Sequence, residues 1–344
     1  MTSCVAGTPS FRNDLIKLID ETEINSVIID VKDYSGTISF PPENPAWQKA
    51  WQEARCGTNS MRSLIEMLHD KSIYVIARIT VFQDPFYSNI RPDLAVKKAD
   101  GKTVWKDNKG LSFIDVAAKE YWDHIIGLSV DAYNLGFDEL NFDYVRYPSD
   151  GPMKDISFPH SEAGEYGLDK QANLEAFFSY LHSKLSDETL FADYRHDNTG
   201  RASSTPWLSA DLFGMTTTNT DDLAIGQVLE RAVPYFDFIA PMVYPSHYPS
   251  TFLGLDNPND NPYLVVNHAM SSGVRRLQAS TTVVEGFKHT PQMIRNASGT
   301  PISTGLYTKP VYPVTKLRTW IQDFDYGGDY DAADVRAQIQ ASYD

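Results

Sequence analysis

Apolar residues at helical spacing alternate with short β-branched runs along this chain of 344 residues. The helical pattern of residues 15–19 precedes the run INSVIIDVKD, which is typical of a strand. The same order recurs where the apolar stripe of residues 61–68 precedes IYVIARITVF. Strands that alternate with helices predict a parallel sheet covered by helices, and the predicted fold class is therefore α/β.

Further elements continue this alternation. Helices are predicted over residues 121–135, 174–185 and 224–229. Gly136 is the predicted C-terminal stop of the first of these helices. Strands are predicted to begin near Val27, Tyr74, Asp138, Leu208, Asp237 and Leu317. The wide spacing of these starts requires large loops, and a (β/α)8 barrel builds its functional site from such loops.

We expect one barrel domain over residues 1–344, because no linker or fixed-period repeat interrupts the chain. Residues 82–105 and 245–262 are rich in proline and polar residues and are predicted to be two of its loops. A weak strand at residues 1–6 would be the first of the barrel, and no eighth strand follows the helical pattern near Asp344. The sequence thus predicts a TIM barrel truncated at strand 1 and strand 8.

The charge of the chain argues against partners that are polyanions. Asp and Glu number 45 against 30 Lys and Arg, a formal net charge of −15, so nucleic acid is not expected as a partner. No apolar run approaches the roughly 20 residues of a membrane span, and no signal peptide is visible. Dinucleotide, phosphate-cradling and HExxH motifs are missing, so neither a cofactor nor a metal is predicted. The sequence leaves the oligomeric state open.

The two cysteines, Cys4 and Cys56, lie far apart and outside any metal-ligand spacing. They suggest neither a disulfide framework nor a zinc site. Both are expected to be structural residues that behave as small hydrophobes.

A polar row interrupts the apolar strand DELNFDYV. Because alternate residues share a face of a strand, Glu139, Asn141 and Asp143 are expected to point into the barrel. Burying carboxylates there is costly without a purpose, and Asp143 lies nearest the carboxyl end, where barrel enzymes place catalytic groups. The alternative explanation is an internal ion pair of Asp143 with Arg146 or Arg78.

Carboxylates also end the other predicted strands, namely Asp211 in SADLFG, Asp323 in WIQDF, and Asp30 with Asp33 after the first long strand. Glycoside hydrolysis uses paired carboxyl groups, one to protonate the leaving oxygen and one to attack or stabilise the sugar. Aromatic residues are frequent in the predicted loops, where flat rings suit the apolar faces of sugars. Core packing is the alternative role for each ring.

Five ordered segments resemble the bacterial "putative glycosyl hydrolase domain" family of TIM-barrel glycosidases: TEINSVIIDVKDYSG, ARITVFQDP, GFDELNFDYVRYPSDG, IAPMVYPSHY and RTWIQDF. The resemblance extends over nearly the whole chain. It implies that Asp143 occupies the fourth-strand position, where α-amylase-like barrels carry the nucleophile. Asp211 would match their acid on strand five and Asp323 their transition-state-stabilising aspartate on strand seven. Since that acid is ordinarily Glu, Glu139 and Glu285 are alternatives.

The remaining candidates are predicted to bind substrate: Asp30, Asp33, Arg78, Asn141, Arg146, Tyr147, Tyr244 and His247. For Arg78 a structural charge pair with Asp30 is the favoured alternative, because an arginine on a strand must be paired. For His247, which lies among prolines, the alternative is to stabilise a turn.

We therefore predict a glycoside hydrolase of a polysaccharide or cell-envelope glycan, with carbohydrate as its partner and Asp143 as nucleophile or base. The full-length protein is expected to be extracytoplasmic or in the cell envelope. A noncatalytic glycan-binding barrel is one alternative. The other is a metal-dependent hydrolase or lyase with Asp30, Asp143 and His side chains as ligands.

Overall fold

The computed structural model describes residues 1–191 and 205–344 of the chain. The chain divides into two compact units, an N-terminal unit (Met1–Ser209) and a C-terminal unit (Ala210–Asp344). The described helices are α1 (Ser3–Gly7), α2 (Pro9–Glu21), α3 (Gln48–Gln52), α4 (Met61–Asp70), α5 (Pro85–Ile90), α6 (Lys119–Leu135), α7 (Pro159–Ala163), α8 (Lys170–Leu185), α9 (Leu229–Ala232), α10 (Pro262–Gln278) and α11 (Ala332–Tyr343). The described strands are β1 (Ser26–Lys32), β2 (Tyr74–Thr80), β3 (Glu139–Asp143), β4 (Trp207–Phe213), β5 (Phe238–Met242), β6 (Thr281–Thr282), β7 (Thr290–Arg295) and β8 (Pro301–Thr308). The expectation of a single domain stays a prediction.

Five strands form one sheet in the order β1-β2-β3-β4-β5. The first three pair in parallel, with Asp30 opposite Arg78 and Thr80 opposite Asp143. The strand order follows the chain order, and helices occupy most of the connections, as in consecutive βα units of a barrel. The predicted α/β class with a parallel sheet is confirmed.

The predicted strand starts are confirmed for β1 to β5. Near Leu317 the structure has two isolated parallel bridges, from Leu317 and Trp320 to residues of β5, in place of a regular strand. Residues 1–6 do not form the predicted first strand, because Thr2 caps helix α1 by accepting a hydrogen bond from the Val5 amide. NFDYV consequently contributes the third strand of the described sheet and not the fourth.

Two helix predictions had different outcomes. Gly136 ends α6 with a φ of 117°, a left-handed conformation that glycine adopts without steric cost, as predicted. The helix predicted over residues 224–229 is wrong, since Leu223 and Ala224 both have positive φ and α9 begins only at Leu229. Left-handed residues cannot continue a right-handed helix.

In the N-terminal unit, one face of the sheet is apolar. Ala77 and Ile79 of β2 and Leu140 and Phe142 of β3 are fully buried, and α4 and α6 contact these strands. Their strand neighbours point to the opposite face, because successive side chains of a strand alternate. That opposite face carries the candidate site.

The C-terminal unit has a core of its own on α10, where Val265, Val266 and Ala269 pack with Val243 and with Ala341 of α11. It also contains a small antiparallel sheet of order β6-β8-β7, which the sequence analysis did not predict. The strands β7 and β8 are mostly exposed, so they lack the apolar alternation that predicts a half-buried strand. Among the described residues, no helix has both the length and the apolar character needed to cross a bilayer.

Cys4 of α1 and Cys56 of the segment after α3 form a disulfide. The expectation of unpaired cysteines is therefore wrong. A sequence separation of 52 residues gave no spacing signal, and only the fold brings the two Cα atoms to 4.7 Å. The disulfide links α1 to the segment after α3 within the N-terminal unit.

Replacing both cysteines by serine is expected to lower the free energy of unfolding by about 2–4 kcal/mol, because the open chain gains conformational entropy when unfolded. Urea denaturation with and without a reducing agent measures this loss. The reductant should destabilise the wild type by a similar amount and leave Cys4→Ser/Cys56→Ser unchanged. A wild type insensitive to the reductant would contradict the prediction.

His69 at the end of α4 lies 3.0 Å from the Asp138 carboxylate, which also accepts a hydrogen bond from the Val75 amide. The hydrogen bond with Asp138 raises the His69 pKa above its ordinary 6.5. The protonated ring therefore adds stability that is fully present below about pH 6.5 and lost as pH rises through the raised pKa. His69→Gln should lose most stability at pH 5 to 6 and less at pH 9.

Denaturation midpoints between pH 5 and 9 test this expectation. His160→Gln is the matched control, since the His160 ring contacts the Asp93 carbonyl and not a carboxylate. Parallel pH profiles of His69→Gln and wild type would rule out the proposed linkage.

Candidate active site

Polar residues occupy the sheet face opposite the apolar one. Asp30 of β1, Arg78 of β2 and Asn141 of β3 lie directly across from one another in the parallel register. The Asn141 amide donates to the Ser209 hydroxyl at 3.0 Å, which continues the polar row onto β4. The polar face predicted from the alternation in β3 therefore continues across the sheet, onto β1, β2 and β4.

Arg78 contacts two carboxylates at once. Its Nη1 lies 3.1 Å from Oδ1 of Asp30, and its Nη2 forms an ion pair with Oδ2 of Asp143. The Asp143 side chain is 3% exposed, against 19% for Asp30 and 28% for Arg78. Because one planar guanidinium contacts both, the carboxylate oxygens lie within roughly 8 Å of each other, an upper limit that is compatible with the separations of glycosidase carboxyl pairs.

The backbone fixes Asp143 at the end of β3. The Val81 amide donates to the Asp143 carbonyl at 2.8 Å, and the Tyr144 amide donates to its Oδ1 at 2.6 Å. Tyr144 has a φ of 51°, a conformation that is uncommon for a large side chain. Such backbone strain is found at functional sites, where the surrounding structure holds it in place.

A second buried charge pair lies beside the ends of β1 and β2. The fully buried Lys32 ammonium lies 3.1 Å from the Asp84 carboxylate and donates to the Thr80 carbonyl at 2.6 Å. The Tyr121 hydroxyl lies 2.7 Å from the Asp84 carboxylate and 2.8 Å from the Val81 carbonyl oxygen, and its single proton can be donated to either acceptor. Burial lowers the pKa of Lys32 and raises that of Tyr121. Sequence analysis missed this group, although a lysine inside the apolar run VIIDVKD was a signal.

Asp33 and Arg146 organise loops at the strand ends. Asp33 accepts hydrogen bonds from the Ser35 amide at 2.9 Å and from its hydroxyl, which makes it a turn-forming residue. Arg146 is largely buried, donates to the Tyr147 carbonyl at 3.1 Å and lies 4.6 Å from the centre of the Tyr144 ring. Burial lowers the Arg146 pKa.

Tyr147 has the surroundings of a core residue. Its side chain is fully buried, its ring packs edge-on against Phe158, and its hydroxyl lies 2.8 Å from that of Ser161. Burial raises its pKa. The structure thus gives Tyr147 no exposed surface to offer a sugar, and core packing explains its position.

In the C-terminal unit, Asp211 lies near the end of β4 and is fully buried. The indole N–H of Trp320 donates to its Oδ1 at 2.8 Å, and the Gln227 amide donates to its backbone carbonyl at 3.4 Å. Trp320 is held by its bridge to Met242 of β5. The buried carboxylate is therefore oriented by the Trp320 indole, whereas Gln227 holds the backbone of Asp211.

Asp323 is exposed and lies in irregular structure three residues after Trp320. It does not end a regular strand, which corrects the strand placement used to compare it with barrel aspartates. Tyr244 and His247 follow β5, and their ring centroids lie 5.3 Å apart. Burial lowers the pKa of His247, although its side chain is partly exposed.

The two alternative acids have different surroundings. Glu139 is buried on β3 and accepts a hydrogen bond from the Tyr74 hydroxyl at 3.1 Å. Glu285 is exposed and follows the short strand β6. Of the metal ligands considered from the sequence, Asp30 and Asp143 are bridged by a guanidinium. Within residues 1–191 and 205–344, no three His, Cys, Asp or Glu side chains are grouped as a metal site.

Comparison with known proteins assigns the family. The family described as "putative glycosyl hydrolase domain" matches residues 1–293, and the chain belongs to it. This confirms the resemblance inferred from the five segments and supports a glycoside hydrolase-like function. No curated protein matches the chain.

Solved structures of similar fold include a hypothetical protein from Ruminiclostridium thermocellum ATCC 27405, 29% identical, with a TM-score of 0.46, covering 54% of this chain and 92% of that one. An α-galactosidase from Thermus thermophilus is 14% identical, with a TM-score of 0.42, and the match covers 76% of this chain and 46% of that one. A maltogenic α-amylase from Thermotoga neapolitana is 11% identical, with a TM-score of 0.41, and the match covers 80% of this chain and 54% of that one. The chain thus spans about half the length of these two glycosidases.

Removing the Arg78 charge should leave two largely buried carboxylates without this counter-charge. Arg78→Met is expected to lower the free energy of unfolding by about 3 kcal/mol. Arg91→Met is the control, because Arg91 pairs with Asp93 and Glu120 at the surface, where such pairs contribute about 1 kcal/mol or less. Chemical denaturation measures both losses.

A double-mutant cycle separates the charge effect from lost packing. In the Arg78→Met background, Asp143→Asn should destabilise the protein less than in the wild type, or stabilise it, because it removes an unpaired charge. If the losses in unfolding free energy of the two single variants simply add up in the double variant, the two side chains are not energetically coupled and the prediction is contradicted.

Proposed function

We propose that this protein hydrolyses glycosidic bonds in a polysaccharide or cell-envelope glycan by carboxylate chemistry. Membership of the glycosyl hydrolase family supports the class of reaction. The observation that carries the proposal is the buried Asp143 carboxylate at the end of β3, within reach of Asp30 through their shared contact with Arg78. Paired carboxyl groups at the carboxyl ends of barrel strands are what glycoside hydrolysis requires.

Asp143 is proposed as the nucleophile or the general base. Either role needs an ionised carboxylate in a fixed orientation, and both oxygens of Asp143 have donors, the guanidinium of Arg78 and the amide of Tyr144. A fixed, charge-balanced carboxylate can stabilise the positive charge that develops on the sugar in the transition state. The backbone contacts of Asp143 reduce the reorganisation that this step requires.

The proton donor is proposed to be Asp211, and Asp323 is proposed to stabilise the transition state electrostatically. Both assignments rest on the order of the family segments alone, because the strand numbers of the described sheet do not match those of α-amylase-like barrels and Asp323 lies in irregular structure. Trp320 would fix the orientation of the Asp211 carboxylate through its indole N–H. The residues proposed to contact sugar hydroxyls are Asp30, Asp33, Arg78, Asn141, Arg146, Tyr244 and His247. The packing of the Tyr147 ring against Phe158 and the contact of its hydroxyl with Ser161 favour a structural role for that residue.

An extracytoplasmic or cell-envelope location is proposed for the protein. The Cys4–Cys56 disulfide supports it, because disulfides persist mainly in oxidising compartments.

Asp143→Asn tests the function. On a panel of bacterial and plant glycans, the release of reducing ends should fall at least about a thousandfold, since the amide can neither attack nor act as a base. Asp93→Asn, a surface carboxylate paired with Arg91, is the matched control. Equal activity of Asp143→Asn and wild type would remove Asp143 from the mechanism.

The anomeric configuration of the first product distinguishes the two roles of Asp143. If Asp143 is the nucleophile, the wild type should hydrolyse an aryl glycoside with retention through a covalent glycosyl-enzyme, whereas a general base should give inversion, and NMR of the fresh product measures which occurs. Asp211→Asn should release a good aryl leaving group at nearly the wild-type rate in the first turnover, since that departure does not need the acid.

A further inference from the structure

Four aromatic rings of the C-terminal unit meet at its surface after the end of β5: Tyr244, His247, Phe324 and Tyr326. We refer to them as the aromatic cluster. The Tyr244 and Phe324 centroids lie 5.3 Å apart, nearly edge to face, and the His247 and Tyr326 centroids lie 6.2 Å apart. Phe324 is nonetheless 42% exposed and Tyr326 65%. Contiguous exposed apolar surface, unlike single exposed hydrophobic residues, often marks a binding site.

Buried amides hold the two segments that carry these rings. Gln322 is fully buried, accepts a hydrogen bond from the Ser246 amide at 3.1 Å and donates to the Phe324 carbonyl at 3.0 Å. The Gln338 side chain in turn accepts from the Gln322 amide and donates to the Gln322 carbonyl, both at 2.8 Å. One buried side chain thus ties the loop after β5 to the loop that bears Phe324.

The rest of the second loop is fixed as well. The Asn257 amide donates to the Gly327 carbonyl at 3.3 Å, and Asp325 accepts from the Tyr330 amide at 2.9 Å. Gly327 has a φ of 73°, and a Cβ there would lie 2.8 Å from Nδ2 of Asn259. The exposed rings are therefore displayed on a pre-organised backbone, which reduces the entropy that binding would cost.

The surrounding charge limits the ligand. Residues 323–331 contain Asp323, Asp325, Asp329 and Asp331 and no lysine or arginine. Exposed carboxylates repel polyanions but can accept hydrogen bonds from hydroxyl groups. They contribute little to binding an ammonium group at the surface, where ion pairs are weak. Flat rings among hydroxyl-accepting groups suit a ligand that has an apolar face and hydroxyl edges.

We propose that the aromatic cluster binds a pyranose ring of an uncharged glycan chain, with Phe324 and Tyr326 as the stacking residues. This inference rests on the proposed function, because it takes a glycan as the ligand. It deepens that function by narrowing the substrate class to neutral polysaccharides. Phe324 and Tyr326 are additions to the sequence-based candidates.

Affinity electrophoresis of the full chain tests the proposal in gels that contain a neutral polysaccharide (laminarin, xylan or galactomannan), polygalacturonate or chitosan. At least one neutral polysaccharide should retard the wild type, and Tyr326→Ala and Phe324→Ala should each weaken this binding about fivefold to tenfold, as the loss of one stacking contact predicts. Tyr343→Ala is the matched control, because Tyr343 is an exposed tyrosine of α11, 83% accessible.

Retardation by polygalacturonate or chitosan alone, no retardation by any polymer, or equal weakening by Tyr326→Ala and Tyr343→Ala would each overturn the proposal. Thermal unfolding of every variant checks that the fold is retained. Retardation of Asp143→Asn in the same gels measures glycan binding independently of hydrolysis, so binding by the aromatic cluster and catalysis by Asp143 are tested separately. Binding that Tyr326→Ala weakens supports the aromatic cluster even if Asp143→Asn retains full hydrolytic activity, which would refute only the catalytic role.

Discussion

The contact of Arg78 with Asp30 and Asp143 is the interaction on which the polar face of the sheet depends. Two carboxylates withdrawn from water would each cost several kcal/mol without a partner. β2 lies between β1 and β3, and the parallel register brings both carboxylates within reach of one side chain on the central strand. A guanidinium suits this position because its planar fork presents separate N–H groups to each side. The strand order therefore makes the carboxylate pair compatible with folding.

The Lys32 group shows how the fold keeps a second charge pair apart from the first. The register shifts between Asp30 and Lys32, so that Lys32 pairs with Ile79 of the apolar face and not with Thr80. Such an irregularity re-aims a side chain. Lys32 consequently contacts Asp84, whose carboxylate also lies 2.7 Å from the Tyr121 hydroxyl of α6. Its bond to the Thr80 carbonyl adds support at the end of β2, next to the Val81 amide that holds Asp143.

Each unit of the chain holds polar or aromatic groups that buried hydrogen bonds fix in place. The N-terminal unit has a charge-balanced carboxylate pair on rigid strands, which suits bond cleavage. The C-terminal unit has a buried carboxylate oriented by Trp320 and exposed rings fixed by the Gln322 side chain. In both units, buried hydrogen bonds hold the functional groups in place.

Residues close in sequence explain what could be predicted. The five main strands, the helices α2, α4, α6 and α8, the Gly136 stop and the shared face of Asn141 and Asp143 all follow from periodicity and turn chemistry, which are local properties. The five segments that resemble the family were sufficient to predict the class of protein. The residues of β7 and β8 gave no such signal, because both of their faces are largely exposed.

The sequence by itself determined the α/β class, the position of Asp143 at a strand end and the family. Only the tertiary structure decided that Arg78 forms an ion pair with Asp143 as well as with Asp30, and that Cys4 forms a disulfide with Cys56. It also decided that Phe324 and Tyr326 lie in one cluster with Tyr244. These pairs are separated by tens of residues along the chain, and their choice depends on sheet register and loop packing. Local patterns carry no information about such long-range contacts.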